Sequence, residues 1–559
     1  MALAQPAPST GDFWQRFGNA LPYAAPYAWT SAGGGYMNSR FAPGEWLINP
    51  ASVAGLKPAW SFATEGDVSA TPTVEGKALY VPDWGGQLYR IDTDLGSATW
   101  KVKLADYTGN AASVSRNSPA LAGDRLVLGD QAGGTVLALS KRTGALLWKT
   151  QVEAHPQARI TSSPVVYGDR VYVGVSSGDW AGTTPGYRFS FRGSVSALDL
   201  KTGKLLWTFH TTPEGYTGAS VWGTLAIDPQ RRRVYATTGN NYSVPLEVAG
   251  CVRDANGDLT TELACMAPDN YVDSVIALDM DSGRPVWARQ LQGADAWSLS
   301  CLAAPTAGIC QDPQGPDYDF SGGGANLFSV ERDGRRQSLV GAGQKSGKYW
   351  ALDADTGATV WSTQVGPGGT TGGIEWGSSF DPYKQRVYVA INNSGNASYT
   401  LAPGHTETWN AGSWAALDAA TGQVVWQVKV PGINPTRPGV GAGGQGPVAS
   451  SPGLVYAGSM SGAMVALVDT PHLYEVLRKD GGTCAFSSGD VENFSRYLQA
   501  FYRVPTYHLP LLMGDGEGSA LAYAVAAQAP DHVLAGVLTD GLCPASVSPK
   551  SVCGAGVAA

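Results

Sequence analysis

The stretch Ala197-Leu198-Asp199-Leu200-Lys201-Thr202-Gly203-Lys204-Leu205-Leu206-Trp207 decides the fold. Apolar residues run into Ala-Leu-Asp as the end of one strand. The Asp and the Thr-Gly pair then make a tight turn, in which Gly accepts a positive φ without strain. A second strand follows and ends in Trp207. The same grammar returns at Ala351–Trp361 and Ala416–Trp426, and in weaker form at Ile91–Trp100, Ala138–Trp148 and Ala277–Trp287. Trp60 follows Leu56-Lys57-Pro58-Ala59 without the turn. Ahead of each unit lies another strand pair, such as Pro164–Gly174. Four short strands per unit, recurring every ~40 to 80 residues, read as the blades of a β-propeller. Trp60, Trp100, Trp148, Trp207, Trp287, Trp361 and Trp426 occupy one equivalent place in each unit, so they are read as core wedges between neighbouring sheets.

Composition agrees with an all-β chain. Gly is 72 of 559 residues, where an average protein has about 7%. Charged residues are 15%, where about 25% is usual. With 43% hydrophobic residues the chain can fill a large core, which excludes disorder, and the turn-rich, aromatic composition excludes a bundle or coiled coil. The net charge is −8, and no basic run exceeds Arg231-Arg232-Arg233. Nucleic acid is therefore not an expected partner. No apolar run reaches the ~20 residues that a membrane-spanning helix needs; the longest lies near Ala520–Ala527.

Of seven cysteines, Cys251/Cys265, Cys301/Cys310 and Cys543/Cys553 are close pairs, and Cys484 is left over. Short-range pairing points to an oxidising compartment, hence a periplasmic or secreted location. Met1-Ala2-Leu3-Ala4-Gln5-Pro6 is not a complete signal peptide. The absence of CxxC and CxxCH excludes zinc ribbons and covalent c-type haem.

The repeat breaks off. Leu454–Gly458 and Gly462–Leu467 begin a further unit, but Val468-Asp469-Thr470-Pro471 stand where Asp, Thr-Gly and Trp are due. About seven to eight blades are expected, the last incomplete. Beyond it the grammar changes. Val491, Phe494, Leu498 and Phe501 share one face of a helix over Asp490–Phe501, with Asp490 as N-cap. Leu511-Leu512-Met513, the Gly-rich Gly514–Gly518, a helix over Ser519–Gln528 and a buried strand over Val533–Leu538 make a βαβ-type unit. The expected organisation is an extension over 1–29, a propeller over 30–467 and an α/β segment over 468–559.

On these residues, about 30–467 resembles the quinoprotein alcohol dehydrogenases, the polyvinyl-alcohol-dehydrogenase-like branch above all. The resemblance implies pyrroloquinoline quinone on the propeller axis, with Ca²⁺ or a lanthanide beside it. Taken residue by residue, Arg116 in Ser115-Arg116-Asn117-Ser118-Pro119 resembles the arginine that holds the quinone. Thr161 resembles the cofactor-contacting threonine. Ser176, Ser177 and Gly178 form the adjoining cofactor loop, and Asp179 falls at the place of an acidic metal ligand. Ser220 and Trp222 match the polar contact and the aromatic floor. Asn240 resembles the amide ligand, Asp317 the catalytic base that also ligates, and Asp319 an extra acidic ligand of lanthanide-using members. Lys345 resembles the basic residue near the reactive carbonyls.

The chemistry suits these residue types. A planar quinone takes a flat apolar floor, and its carboxylates take Arg in bidentate fashion. A hard cation takes oxygen ligands and polarises a carbonyl, while Asp317 takes the alcohol proton. Singly, Asn240 also reads as a turn residue, Asp179 and Asp317 as loop caps, and Arg116 and Lys345 as solvated charges. Their chain order joins them into one site. Two departures stand out: Ala111-Ala112 lack the adjacent cysteines of the methanol-oxidising branch, and Ser69 replaces its Glu.

With no haem motif in the sequence, the resemblance implies a separate electron acceptor, a c-type cytochrome. It implies as substrate a secondary alcohol or a polyol such as polyvinyl alcohol. Two alternatives stay open: a non-catalytic propeller that binds an envelope partner, and a chimeric reading frame with impaired activity.

The tail, from about Ala463, resembles the N-terminal part of the bacterial virulence VirJ/AcvB family. The residues carrying this are Asp469-Thr470-Pro471, Gly481–Cys484, Gly489–Asn493, Leu511–Gly518, Cys543-Pro544 and Cys553. That family is related to α/β-hydrolases, so a partial α/β-hydrolase-like segment is expected. Gly516 stands at the nucleophile position of Gly514-Asp515-Gly516-Glu517-Gly518, so the segment is expected to be non-catalytic.

Overall fold

In a computed structural model the protein is described over residues 28–468, apart from 46, 50–52, 54–55, 185, 292–295, 304–316, 370 and 463, and over Leu511–Asp515 and Gly536–Asp540. Among the described residues, seven antiparallel sheets of three or more strands follow one another along the chain. The first joins Thr73–Glu75, Ala78–Pro82, Gln87–Asp92 and Ser97–Lys103, with Ala28–Trp29 added at its inner edge. The second runs over Ala120–Gln151, the third over Val165–His210, the fourth over Ala226–Gln290, the fifth over Phe320–Gln364 and the sixth over Ser379–Lys429. The seventh has three described strands, Ala449–Ser451, Leu454–Gly458 and Met464–Val468. Ala28 and Trp29, two residues ahead of the boundary expected from the sequence, already pair with Glu75 and Val74.

The first strands of successive sheets adjoin one another, from Thr73–Glu75 through to Ala449–Ser451. The second and third strands are buried throughout, for example Arg170–Ser177 and Ser194–Asp199, whereas the fourth strands alternate toward solvent. A ring of sheets around an axis follows: first strands line the centre and fourth strands form the rim.

The repeat explains how neighbouring sheets adhere. Asp199 Oδ1 accepts from Thr202 N and Oγ1 at 2.7 and 2.6 Å, and Asp353 and Asp418 cap Thr356 and Thr421 in the same way. Each turn is then laid on the Trp of the preceding sheet. Gly203, Gly283, Gly357 and Gly422 have φ of +68° to +77°, and a Cβ on any of them would stand 2.5–2.6 Å from Trp148, Trp207, Trp287 or Trp361 respectively. The indole N–H groups of Trp148, Trp207, Trp287 and Trp361 donate to the backbone oxygens of Leu200, Met280, Ala354 and Ala419 in those turns. Trp60 and Trp100 do the same to Thr93 and Lys141.

Trp426 breaks the series: its Nε1 is buried with no hydrogen-bond partner among the described residues. Its turn would come from the seventh unit, where the sequence departs from the repeat. Trp361→Phe is therefore expected to lower the melting temperature more than Trp426→Phe. The first change loses a 2.9 Å bond to Ala419, worth about 1 kcal/mol, and leaves a buried acceptor. Parallel thermal melts of the two variants test this, and equal losses would contradict it.

Residues 28–42 close the centre. After Ala28–Trp29 joins the first sheet, backbone oxygens of Thr30, Tyr36, Met37, Ser39 and Arg40 accept from Leu121, Ile227, Leu327, Phe380 and Ser450. Tyr36 also packs edge-on against Tyr167 at 4.9 Å. One short segment thus touches the first strand of all seven sheets. Asn38 adds side-chain bonds to the Gly323 and Ala325 oxygens at 2.7 and 2.8 Å.

The helices Leu246–Asp254 and Leu259–Cys265 are an insertion in the fourth unit, stapled by the Cys251–Cys265 disulfide expected from the sequence. Cys301 is also disulfide-bonded; Cys310, Cys484, Cys543 and Cys553 lie outside the described residues. Leu511–Asp515 and Gly536–Asp540 pair in parallel, as a βαβ-type connection requires. The helices expected at Asp490–Phe501 and Ser519–Gln528 lie outside the described residues.

Candidate functional site

The loops that precede first strands and those that follow second strands lie at the same end of the sheets and bring most of the expected residues together. Lys345 follows the strand Arg335–Gln344, and its ammonium lies 3.1 Å from Asp317 Oδ2 and 3.0 Å from Asp319 Oδ2. The Lys345 N–H donates to the Asp319 oxygen at 2.9 Å, and the Asp319 N–H to Asp317 Oδ1 at 2.9 Å. Asp319 Oδ1 also accepts from the backbone N–H of Asn240. The Asn240 amide donates to the oxygens of Asn241 and Trp297, both at 2.6 Å, so the side chain is fixed. Lys345, Asp317, Asp319 and Asn240 are therefore one contiguous group.

Burial pushes Asp317 up to about 6 against the pull of Lys345, with the neighbouring Asp319 charge adding to the rise. Burial alone would lower the Lys345 ammonium; Asp317, Asp319 and Glu375 outweigh it and hold lysine well above its ordinary range.

Aromatic walls stand beside this group. Lys345 Nζ is 5.4 Å from the Trp222 ring centre. Trp222 meets Trp376 edge-on at 6.1 Å and 82°. The Arg116 guanidinium lies 5.5 Å from Trp376 and 6.0 Å from Trp84, and Trp84 Nε1 donates to Ser69 Oγ at 2.9 Å.

Arg159 completes the cationic side. A Cβ on Gly178 would stand 2.3 Å from its Nη2. Thr161 Oγ1 and Ser176 Oγ are 2.8 Å apart, and Ser176 Oγ donates to the Arg159 oxygen at 3.1 Å. Ser220 Oγ and Tyr242 Oη are 2.6 Å apart. Burial lowers the Arg116 guanidinium; Glu375 opposes this and the like charge of Arg159 adds to it.

Asp179 is held by its own set of hydrogen bonds. It is 1% exposed. Tyr187 Oη donates to its Oδ1 at 2.5 Å, and the Ser190 and Phe191 N–H groups to its Oδ2 at 2.9 and 3.0 Å. Its own N–H donates to Ser177 Oγ at 3.1 Å. Both carboxylate oxygens thus organise the 179–191 loop.

Sequence reasoning missed Arg159, Glu375 and Trp376. Glu375 is held by the Gly322 N–H on its backbone oxygen at 2.9 Å and by Gln445 on its carboxylate at 3.3 Å. Burial pushes it up to about 7 against Lys345 and that hydrogen bond. A signal for Trp376 was present: Trp376-Gly377 precedes Ser379-Phe380-Asp381-Pro382 much as Trp222-Gly223 precedes Ala226-Ile227-Asp228-Pro229. Like Trp222, Trp376 falls outside the core-Trp position.

The arrangement fits a planar, carboxylated ligand. Arg116 and Arg159 make no ion pair among the described residues, and an unpaired guanidinium is suited to a carboxylate. Trp222 and Trp376 supply apolar faces. Asp317, Asp319 and the Asn240 side chain carry oxygen acceptors, the donor type that a hard cation takes, while among the described residues no cluster of three or more His, Cys, Asp or Glu side chains is placed to hold a metal.

Comparison with known proteins agrees with this geometry. Residues 29–373 match the β-propeller domain of the glucose/ethanol/alcohol dehydrogenases. The polyvinylalcohol dehydrogenase of a Pseudomonas species is 29% identical over 467 residues, covering 79% of this chain and 66% of that protein. That of a Sphingopyxis species is 31% identical over 401 residues, covering 68% and 55%. The chain thus spans between about half and two thirds of the length of these relatives. Among solved structures, the quinohemoprotein alcohol dehydrogenase of Comamonas testosteroni superposes with a TM-score of 0.58 at 19% identity, covering 82% of this chain and 75% of that one. A europium-containing methanol dehydrogenase gives 0.56 at 18%, covering 79% and 86%. These structures share the fold. Seven sheets around an axis, the Trp-anchored repeat and the match over 29–373 together make the chain a member of the glucose/ethanol/alcohol dehydrogenase β-propeller family.

Proposed function

We propose that this protein is an alcohol dehydrogenase dependent on pyrroloquinoline quinone, acting on secondary alcohols or a polyol such as polyvinyl alcohol. The observation that carries the reading is the Lys345 ammonium, held at 3.1 and 3.0 Å by Asp317 and Asp319 beside Trp222, with unpaired Arg116 and Arg159 in the same site.

Arg116 and Arg159 would hold the quinone carboxylates, with Thr161, Ser176, Ser177, Gly178 and Ser220 as polar contacts. Trp222 and Trp376 would cover its faces. Asp179, Asn240, Asp317 and Asp319 would hold Ca²⁺ or a lanthanide, Asp179 also organising its loop. When bound, the quinone supplies a two-electron acceptor and the cation a Lewis acid.

Asp317 is the base: its carboxylate takes the hydroxyl proton of the alcohol. Lys345 keeps Asp317 in place and, in its charged form, stabilises negative charge that develops nearby. The aromatic walls exclude water and favour apolar C–H surface over ions. Electrons leave to a separate acceptor, a c-type cytochrome. The Cys251–Cys265 disulfide supports an oxidising compartment, and no helix among the described residues is long and apolar enough to cross a membrane.

The test is dye-linked oxidation of secondary alcohols and polyvinyl alcohol, with and without added quinone and Ca²⁺ or La³⁺. Turnover requiring both additions is expected. Folded protein with neither turnover nor quinone binding would refute the reading.

A further inference from the structure

The wall residue Trp376 is preceded by a carboxylate that the chemistry above leaves unused. The Gly373 and Ile374 N–H groups donate to the Lys345 and Gln344 oxygens at 2.9 and 3.1 Å, and the Gly322 N–H donates to the Glu375 oxygen at 2.9 Å. The segment is thereby laid against the strands Phe320–Arg332 and Arg335–Gln344, which adjoin Asp319 and Lys345. Glu375 and Trp376 are the partly exposed residues between buried Ile374 and Gly377. The charge of Glu375 acts on both Arg116 and Lys345, and it is acted on by Lys345, Asp317 and Arg116 in turn. Glu375 is thus within reach of both cationic sides of the site, next to the ring that lies 5.5 Å from the Arg116 guanidinium.

The acidic groups of the site are unequally compensated. Asp317 and Asp319 hold Lys345 Nζ at 3.1 and 3.0 Å. Asp179 takes Tyr187 Oη and the N–H groups of Ser190 and Phe191. Among the described residues, the Glu375 carboxylate has a single neutral donor, Gln445 Nε2 at 3.3 Å. It is therefore the carboxylate that a proton neutralises most readily.

We propose that Glu375 is the proton-uptake residue of the anion slot: its carboxylate shares the field of Arg116 in the quinone-free protein and takes a proton from solvent when a ligand carboxylate reaches that guanidinium. The proposal rests on the quinone reading above and adds how pH regulates that binding. One O–H bond forms at Glu375 and no electron moves. Burial already pushes this carboxyl up to about 7, and a second carboxylate beside it raises it further, because like charges disfavour joint ionisation. The sign follows. Binding is strongest below about pH 7 and weakens as pH rises through the value of free Glu375, by up to about tenfold per pH unit until the bound form also loses its proton. The groups acting on Glu375 are Lys345 and Asp317 from the fifth sheet, Arg116 from the loop before the second and the uncharged Gln445 from before the seventh. Asp317, pushed up to about 6, titrates below this range.

The test is binding of pyrroloquinoline quinone at fixed Ca²⁺, followed by quenching of tryptophan fluorescence, with calorimetry of the same titration in buffers of different ionisation enthalpy. The wild type should bind about tenfold or more weakly at about pH 8.5 than at about pH 6.5, and should take up protons on binding at about pH 8. Glu375→Gln keeps the shape without the charge. It should show nearly equal affinity at both pH values, take up no proton there, and bind more tightly than the wild type at the higher pH. The same pH dependence in both proteins, or weaker binding by Glu375→Gln at the higher pH, would overturn the proposal. Should Glu375→Gln not fold, quinone binding to the wild type without proton uptake would overturn it alone. Folded wild type that binds no quinone at any pH would refute the quinone reading, and the proposal with it.

Discussion

Asp317→Asn is expected to reduce alcohol turnover by about 10²- to 10⁴-fold, the usual contribution of a positioned general base, while the fold survives. The amide keeps the shape of the carboxylate but cannot take a proton. The loss should fall on kcat more than on KM, because the proton moves only as the alcohol reacts. The fold should survive because Lys345 retains its 3.0 Å contact with Asp319, and the Asp319 N–H can still donate to the remaining oxygen at position 317. Steady-state dye reduction with quinone and cation saturating, alongside near-UV circular dichroism, measures both effects. Turnover near the wild-type value in a normally folded variant would remove Asp317 from the chemistry.

The blades were legible because their signal is local. Asp199, Thr202 and Gly203 act within five residues of one another, and Trp207 repeats at one place in each unit. Any chain that builds this turn must write it in consecutive positions. The axial plug was not legible, since its contacts with Leu121, Ile227, Leu327, Phe380 and Ser450 are made by backbone oxygens, which leave no mark on side-chain identity. Arg40 looks in sequence like any surface arginine after a glycine-rich turn. Only the placement of Gly377 against it reveals burial.

The site lies between these cases. Asp317, Asp319, Asn240 and Lys345 come from two units of the chain, yet one hydrogen-bonded group holds them. Their types and order pointed to it, but their contacts did not follow from spacing. Asp179 shows the reverse. Ser-Ser-Gly-Asp has the look of a ligand loop, and the groups that take up its oxygens, at Tyr187, Ser190 and Phe191, lie eight to twelve residues later. No local pattern announces them. Glu375 and Trp376 lie outside the blade turns, so the repeat does not announce them, and Trp222-Gly223 is their only counterpart among these residues.

Gly357→Ala should be the most damaging single-methyl change tested in the blades, costing about 2–5 kcal/mol. Two terms combine. An alanine at φ +70° pays about 1–2 kcal/mol for a left-handed backbone. Its Cβ would also stand 2.6 Å from the Trp287 ring, and overpacking of that kind costs about 1–3 kcal/mol. Gly123→Ala isolates the first term, since Gly123 has φ +56° and nothing within 4 Å of the added carbon. Thermal melts followed by tryptophan fluorescence should therefore rank wild type above Gly123→Ala, with Gly357→Ala well below both. If the two alanine variants melt together, the turn does not clamp Trp287 and the account of inter-sheet adhesion fails. If they separate, the consequence reaches the site. Trp287 Nε1 holds Ala354 of the next sheet at 3.2 Å, and that sheet presents Lys345. The clamp between the fourth and fifth sheets thus also sets the distance between Asn240, from the fourth, and Asp319 and Lys345, from the fifth. Gly357→Ala should accordingly weaken quinone binding at temperatures where the variant is still folded, which Gly123→Ala should not.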